Sequence, residues 1–262
     1  MNLRLTGRFD RYTAYSVAAV AAAFLAWVAA SYWGKLNPDR FPPIQAIYDA
    51  LAGLIKNGYA GKPLYLEILA SIYRALGGFV LAIVVGVPVG ALLGSNRAFE
   101  AVVTPFLSFL RPIPPIALIP LFIFYFGIGE VSKLALIFLT AFLYITLNTA
   151  SGVKSVPRDL ILASYSLGLT KLQVFTRVIL PGALPQIITG MRIAMALCWA
   201  LVVAAELIAA QVGLGYMIMD ATTFFRIPVV YIGVLIIGVI GLALEGLFMA
   251  LEAHFLHWRG KQ

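Results

Sequence analysis

Residues 163–185 read ASYSLGLTKLQVFTRVILPGALP, and the reading of this stretch decides how the chain is arranged about a membrane. Apolar Leu172, Phe175 and Ile179 recur at helical spacing among Lys171, Gln173 and Arg177, the pattern of a surface helix with one buried stripe. Three polar side chains within seven residues make it a poor candidate to cross hydrocarbon. Just upstream, residues 154–162 add KSVPRDLIL. Pro157 and Asp159 suit the first turn of a helix, proline because its missing N–H is not needed there and the acid because of the helix dipole. Gly168 then interrupts the apolar pattern. The stretch 154–182 therefore predicts a short helix, a glycine turn and a second helix leading to Pro181, lying on one side of a bilayer.

The surrounding sequence supplies that bilayer. Of 262 residues, 62% are hydrophobic and 11% charged, against roughly 25% charged in soluble domains. Six runs are long enough to span, given the requirement of about 20 apolar residues: 14–33, 66–94, 101–125, 131–153, 183–210 and 228–252. The first run, Tyr15 to Trp33, follows Arg4, Arg8 and Arg11 as a signal peptide's apolar region would. No polar processed start comes after it, so it reads as an uncleaved anchor. The fold expected is an all-α membrane protein, a single transmembrane domain over 1–262.

Charge sets the orientation. With both termini on the cytoplasmic side, the inner segments hold Arg4, Arg8, Arg11, Arg97, Lys154, Arg158, Lys171, Arg177, Arg259 and Lys261. The outer segments hold Lys35, Arg40, Lys56, Lys62, Lys133 and Arg226. The excess of Lys and Arg on the cytoplasmic side follows the positive-inside rule and accounts for the net charge of +8. No basic patch interleaved with aromatics suggests nucleic acid. On the outer side, residues 37–65 open with prolines and continue with Ile44, Ile47, Tyr48, Leu51, Leu54 and Ile55, which predicts a short amphipathic helix at the interface.

Within the spans three features ask for an explanation. Gly78, Ala82, Gly86, Gly90 and Gly94 form a stripe of small residues that lets another backbone approach closely, within the subunit or across a dimer. Pro88 in that run should kink it. Residues 110–130, LRPIPPIALIPLFIFYFGIGE, carry Pro112, Pro114, Pro115 and Pro120 beside Arg111. Freed carbonyls are tolerated in lipid where other helices or a water-lined cavity satisfy them, so either a transport pathway or a packed kink fits. Finally Arg74, Arg192, Glu206 and Glu245 fall inside spans, where charges face a bundle interior, one another or a cavity. By depth Arg74 and Glu206 are placed to pair, and Arg111 and Arg192 lie nearer the middle.

Enzymatic readings fail. GIG at 127–129 and GLG at 213–215 lack the third glycine of a dinucleotide loop, and no glycine-rich loop ends in Lys-Ser/Thr. His254 and His257 have no accompanying carboxylate–histidine cluster within a span, and lone Cys198 can form neither a disulfide within the chain nor a cysteine metal site. A secondary transporter would show paired interrupted helices in two related halves, and none is visible. A purely structural membrane subunit is disfavoured by the intramembrane charges.

Residues 162–181 resemble the EAA loop of ABC importer permeases: Glu-Ala-Ala, three residues, Gly, nine residues, then Ile-x-Leu-Pro. Leu162, Ala163 and Ser164 occupy the Glu-Ala-Ala places, Gly168 matches, Val178 stands for Ile, and Leu180 and Pro181 match. Leu162 thus stands where the pattern has its acid, while the spacing is intact. RPIPPIALIPLFIFYFGIGEVSK, GVKSVPRDL, ILPGALPQIITGMRIAMALCWALVVAAELIAA, GLGYMI and WRGK are similar, in order, to the permease group for taurine, aliphatic sulfonates, nitrate and bicarbonate. The closing WRGK is most like the taurine/sulfonate branch.

That resemblance implies a type I ABC importer permease in the bacterial cytoplasmic (inner) membrane. It implies a second permease copy as a homodimer, two copies of a cytoplasmic ABC ATPase and an extracytoplasmic substrate-binding protein. ATP and Mg2+ would sit on the ATPase, with no cofactor in this chain. Leu162, Ala163, Ser164, Gly168 and Pro181 would couple to the ATPase. Arg111, Pro112, Pro115, Arg192 and Glu206 are candidates for the translocation pathway. The cargo expected is a small organic sulfonate such as taurine, with nitrate, bicarbonate or a vitamin precursor as alternatives.

Overall fold

A glycine stripe on one helix and a bulky-residue stripe on the next organise the interior of this protein. The computed structural model describes residues 11–32 and 41–256. In chain order these form α1 (Arg11–Tyr32), α2 (Ile44–Asn57), α3 (Leu64–Ser95), α4 (Arg97–Leu110), a 3-10 turn (Pro115–Leu118) and α5 (Ile119–Phe126). There follow α6 (Glu130–Ser155), α7 (Arg158–Ser166), α8 (Lys171–Val174), a π-helical turn (Phe175–Ile179), α9 (Leu180–Ala209), α10 (Leu214–Thr223) and α11 (Ile227–Phe255). Among the described residues four helical runs are long and apolar enough to cross a membrane: 64–95, 130–155, 171–209 and 227–255. The pair α4 and 115–126 would make a fifth. The 22-residue α1 occupies the first expected span up to Tyr32, and residue 33 lies outside the described residues.

The chain divides into two compact units. The larger comprises 65–216 and 237–257, and α6 is its centre. A Cβ on Gly78 would lie 2.6 Å from Ile137 Cγ2, one on Gly90 2.5 Å from the Thr146 carbonyl oxygen, and one on Gly94 2.6 Å from Val153 Cβ. The stripe on α3 therefore meets α6 of the same chain, which settles the choice between internal and dimer packing for these positions. In lipid no hydrophobic force drives helices together, so such close approach supplies the association. Leu107 of α4, Ile119 of α5 and Ala183 and Ile187 of α9 also join buried clusters with residues of α6. α3 continues through Pro88 to Ser95.

Three boundaries differ from the sequence reading. The run 101–125 is two helices bent by 87°. Pro112, Pro114 and Pro115 remove three donors within four residues, and Pro115 and Pro120 each restart a helix at its first turn, where no donor is needed. The expected inner loop 95–100 shrinks to Asn96. Its side chain caps α4 by accepting from the N–H groups of Ala98 (3.0 Å) and Phe99 (3.1 Å). The helix expected to end at Pro181 instead runs on, so Lys171–Ala209 forms one 39-residue run. The π turn ends at Ile179, two residues before Pro181, where a ring replaces a donor and the regular ladder must break.

The smaller unit comprises 1–64, 217–236 and 258–262. The amphipathic helix expected after residue 43 is α2, with Leu54 buried and Tyr48 and Ile55 exposed. Residues 58–63 make a tight turn closed by Tyr59 N–H to Lys62 O (2.7 Å) and Lys62 N–H to Tyr59 O (2.9 Å). The buried Tyr59 hydroxyl donates to Asp220 Oδ2 at 2.5 Å, and Trp27 stacks on Tyr231 at 6.4 Å between centroids.

Candidate functional site

The opening stretch folds as a helix–turn–helix with the turn chemistry its residues dictate. α7 begins after Pro157 with Asp159 in its first turn. It ends where Leu169 N–H bonds Ser164 O (3.2 Å) and Gly168 N–H bonds Tyr165 O (2.9 Å). Those are the two bonds of a Schellman ending, and Gly168 at φ 80° takes the left-handed position. Thr170 then opens the next helix with a capping box. Its hydroxyl accepts from Gln173 N–H, and Gln173 Oε1 accepts from Thr170 N–H at 2.9 Å, which satisfies two orphan donors.

What this builds is a short helix with an apolar outer face. Leu160, Leu162, Tyr165 and Leu167 are exposed, as is Leu172 beyond the turn. Leu162 and Ala163 face outward, whereas Ser164 is buried and its hydroxyl bonds Leu160 O at 2.6 Å. Pro181 stands apart from them, in the first turn of α9. Below this helix Lys154 of α6 is ion-paired with Glu100 of α4, and Gly182 would place a Cβ 3.1 Å from Val156, so α6 and α9 support the loop at its two ends.

The intramembrane charges form two groups. Arg74 reaches Glu206 Oε1 at 2.5 Å, the pairing expected from depth, and also holds Glu130 through Nε (2.6 Å) and Nη2 (2.7 Å) and Val212 O through Nη1 (2.7 Å). Glu206 is 1% exposed. Its carboxylate also accepts from the Ser71 hydroxyl and from Gly215 N–H at 2.9 Å, while Glu67 accepts from Gly213 N–H. This polar knot ties α3, α6, α9 and the GLG turn together. A carboxylate so enclosed is placed to tether helices, and the geometry speaks against Glu206 as a cargo contact. Sequence reading missed Glu67, Ser71 and the turn, although Glu67, Ser71 and Arg74 fall at i, i+4 and i+7 of one helix face. Arg192 is the second group. It pairs with Glu245 through Nε (2.7 Å) and Nη2 and with Glu252 through Nη1 (3.4 Å), beside a cleft of about 140 Å³ that Trp199 and Phe248 also line. Arg111, Pro112 and Pro115 are together at the 87° bend, where the Arg111 side chain is exposed.

Long apolar helices, a proline-broken span and a short helix with an exposed apolar face held between two spans are the features of a membrane permease. Residues 65–257 match the family described as the binding-protein-dependent transport system inner membrane component, and the chain belongs to that family of ABC importer permeases. It is 36% identical over 253 residues to the taurine transport system permease protein TauC of Escherichia coli K12, covering 96% of this chain and 92% of that one. It is 39% identical over 233 residues to the putative aliphatic sulfonates transport permease protein SsuC of Bacillus subtilis 168, covering 89% and 83%. Its fold resembles a chain of the MetNI methionine ABC transporter, solved in an inward-facing conformation, with a TM-score of 0.62 at 21% identity over 73% of this chain and 97% of that one.

Proposed function

We propose that this chain conducts a small organic sulfonate such as taurine across the bacterial cytoplasmic membrane, as the permease of an ATP-driven importer with both termini inside. The observation that carries the cargo class is the likeness to TauC along nearly the whole chain. Two copies of the permease work with two ATPase subunits, which hold ATP and Mg2+, and with an extracytoplasmic binding protein that delivers cargo.

The exposed face of α7 supports the coupling role. Leu160, Leu162, Tyr165 and Leu167 make an apolar patch on a water-facing loop, the kind of surface that marks a protein contact. On this reading α7 seats in the ATPase, and Gly168 fixes the angle at which the chain leaves it. Leu162, in the place of the pattern's acid, contacts through apolar surface. ATP-driven closure of the ATPase pair displaces α7 and, through the continuous helix from Lys171, biases the pore between outward and inward access, which is coupling between two distinct sites. The bend at Arg111, Pro112 and Pro115 and the cleft at Arg192 are the places on this path where a sulfonate meets an arginine. Guanidinium donors suit such an oxyanion.

The test is uptake of labelled taurine by cells lacking their own taurine and sulfonate permeases and supplied with this chain, its ATPase and its binding protein. Uptake that requires all three and is competed by unlabelled aliphatic sulfonates is expected. No taurine uptake, with the three proteins present and assembled, refutes the cargo assignment.

A further inference from the structure

The turn between α10 and α11 holds a bulky side chain in a backbone conformation that disfavours it. α10 ends with Arg226 N–H on Ala221 O (2.7 Å) and Phe225 N–H on Thr222 O (3.1 Å). This is the same pair of bonds that closes α7 at Gly168, and the left-handed position here belongs to Phe225, at φ 54°. Glycine is the usual residue there because it has no Cβ to crowd the following carbonyl. Phe225 is 84% exposed, so no packing among the described residues offsets the strain or the exposed ring. The tip is also held firmly. Asp220, one turn back, accepts from Phe224 N–H through its carbonyl (3.1 Å) and from the Tyr59 hydroxyl through its carboxylate (2.5 Å). Arg226 lies over the Phe224 ring at 5.8 Å.

Strained residues persist where something over-determines them, and an observed outlier points to function. We infer that Phe225, flanked by Phe224 and Arg226, is a docking knob for the extracytoplasmic binding protein. This rests on the orientation and the importer reading above, which put the tip on the outer side. Aromatic residues and arginine are the side chains enriched where protein interfaces are most buried. Lipid is the poorer occupant. α11 has 29 residues and is about 43 Å long at ~1.5 Å per residue, enough to cross the hydrocarbon and both headgroup layers. The tip follows directly on its outer end, and interfacial belts favour Trp and Tyr over Phe.

The test uses the complete permease–ATPase complex in lipid nanodiscs with its taurine-loaded binding protein. Phe225→Gly relieves the strain, so its melting temperature should equal or exceed that of the native chain. The binding-protein concentration giving half-maximal stimulation of ATP hydrolysis, over each variant's own unstimulated rate, should rise about tenfold, as loss of a central aromatic contact does. Phe225→Trp should keep that concentration near the native value, and its fluorescence should change when binding protein is added. Unchanged half-stimulation in Phe225→Gly overturns the knob while leaving the importer standing. Strong quenching of the indole fluorescence gained in Phe225→Trp by brominated phosphatidylcholine, with no response to binding protein, overturns it in favour of lipid. A native complex that binding protein does not stimulate overturns the importer reading and this inference together.

Discussion

Replacing Arg74 by methionine should be among the most damaging single changes in the protein, and the structure says why. The side chain of Arg74 is 5% exposed and that of Glu206 0%. Removing one member of a buried pair leaves an uncompensated charge, at a cost of about 3–5 kcal/mol. The arm to Glu130 adds little, because that carboxylate is 49% exposed and a solvated pair contributes less than about 1 kcal/mol. The loss therefore concentrates on Glu206, which keeps Ser71 and Gly215 N–H as donors but no cation. Methionine retains much of the aliphatic stem, so cavity formation is a minor part. Glu206→Gln in the Arg74→Met background should recover about 1–3 kcal/mol, since a neutral amide no longer needs a buried partner. The assay is a double-mutant cycle on reversible denaturation in mixed micelles. An interaction energy near zero, with the two single changes simply adding, would falsify the assignment of Arg74 and Glu206 as one energetic unit.

Three further outcomes are expected. Gly90→Leu should prevent close packing of α3 on α6, because even a Cβ there would lie 2.5 Å from a backbone oxygen. Gly246→Ala, with nothing within 4 Å, should raise stability by about 0.5–1 kcal/mol, so equal melting temperatures for the two variants would refute the packing argument. Gly168→Leu meets open space but a left-handed backbone, and should cost about 1–2 kcal/mol locally while lowering the amount of ATPase that co-purifies; undiminished co-purification argues against the coupling turn. Arg111→Gln, at an exposed position, should leave melting within about 0.5 kcal/mol and slow sulfonate transport, and intact transport kinetics would return Arg111 to a structural role.

The parts of this fold that were legible in the sequence are those governed by one local rule. Length and hydropathy mark 66–94, 131–153 and 228–252, each within three residues of the helix ends of α3, α6 and α11, and Gly168 marks the end of α7. What escaped depends on chain segments far apart in sequence. The prolines at 112–120 announce a break but not its 87° angle, which follows from how Ile119 and Leu107 pack against α6. Pro181 reads as a stop because proline ends most helices; here one π turn absorbs the missing donor and the helix continues. The Arg74–Glu206 pair could be placed because both sit in the outer halves of their helices, α3 and α9. The GLG turn between them carries no periodicity to betray it, and its role appears only when Gly213 and Gly215 present their N–H groups to Glu67 and Glu206.

The continuous helix bears directly on the coupling proposed for α7. If a stop at Pro181 separated the loop from the span, a push on α7 would be dissipated in a flexible joint. Instead the 39 residues from Lys171 to Ala209 form a rod about 58 Å long at ~1.5 Å per residue. It starts at the capping box beside α7 and carries Glu206 within its last turn. Arg192, at the cleft shared with α11, lies on the same rod. A displacement imposed at Thr170 therefore reaches the arginine cleft and the Arg74 tether through one helix, whose hydrogen-bond ladder departs from regularity at the π turn and lacks donors at Pro181 and Pro185. That makes the stretch from the π turn to Pro185 the place where the rod can bend, and a change that regularises the turn should uncouple ATP hydrolysis from transport without weakening ATPase binding. Deleting Val178, one residue of the turn, with Pro181→Ala to restore the donor, is the direct trial. Full transport in that variant would show that the rod needs no joint at the π turn.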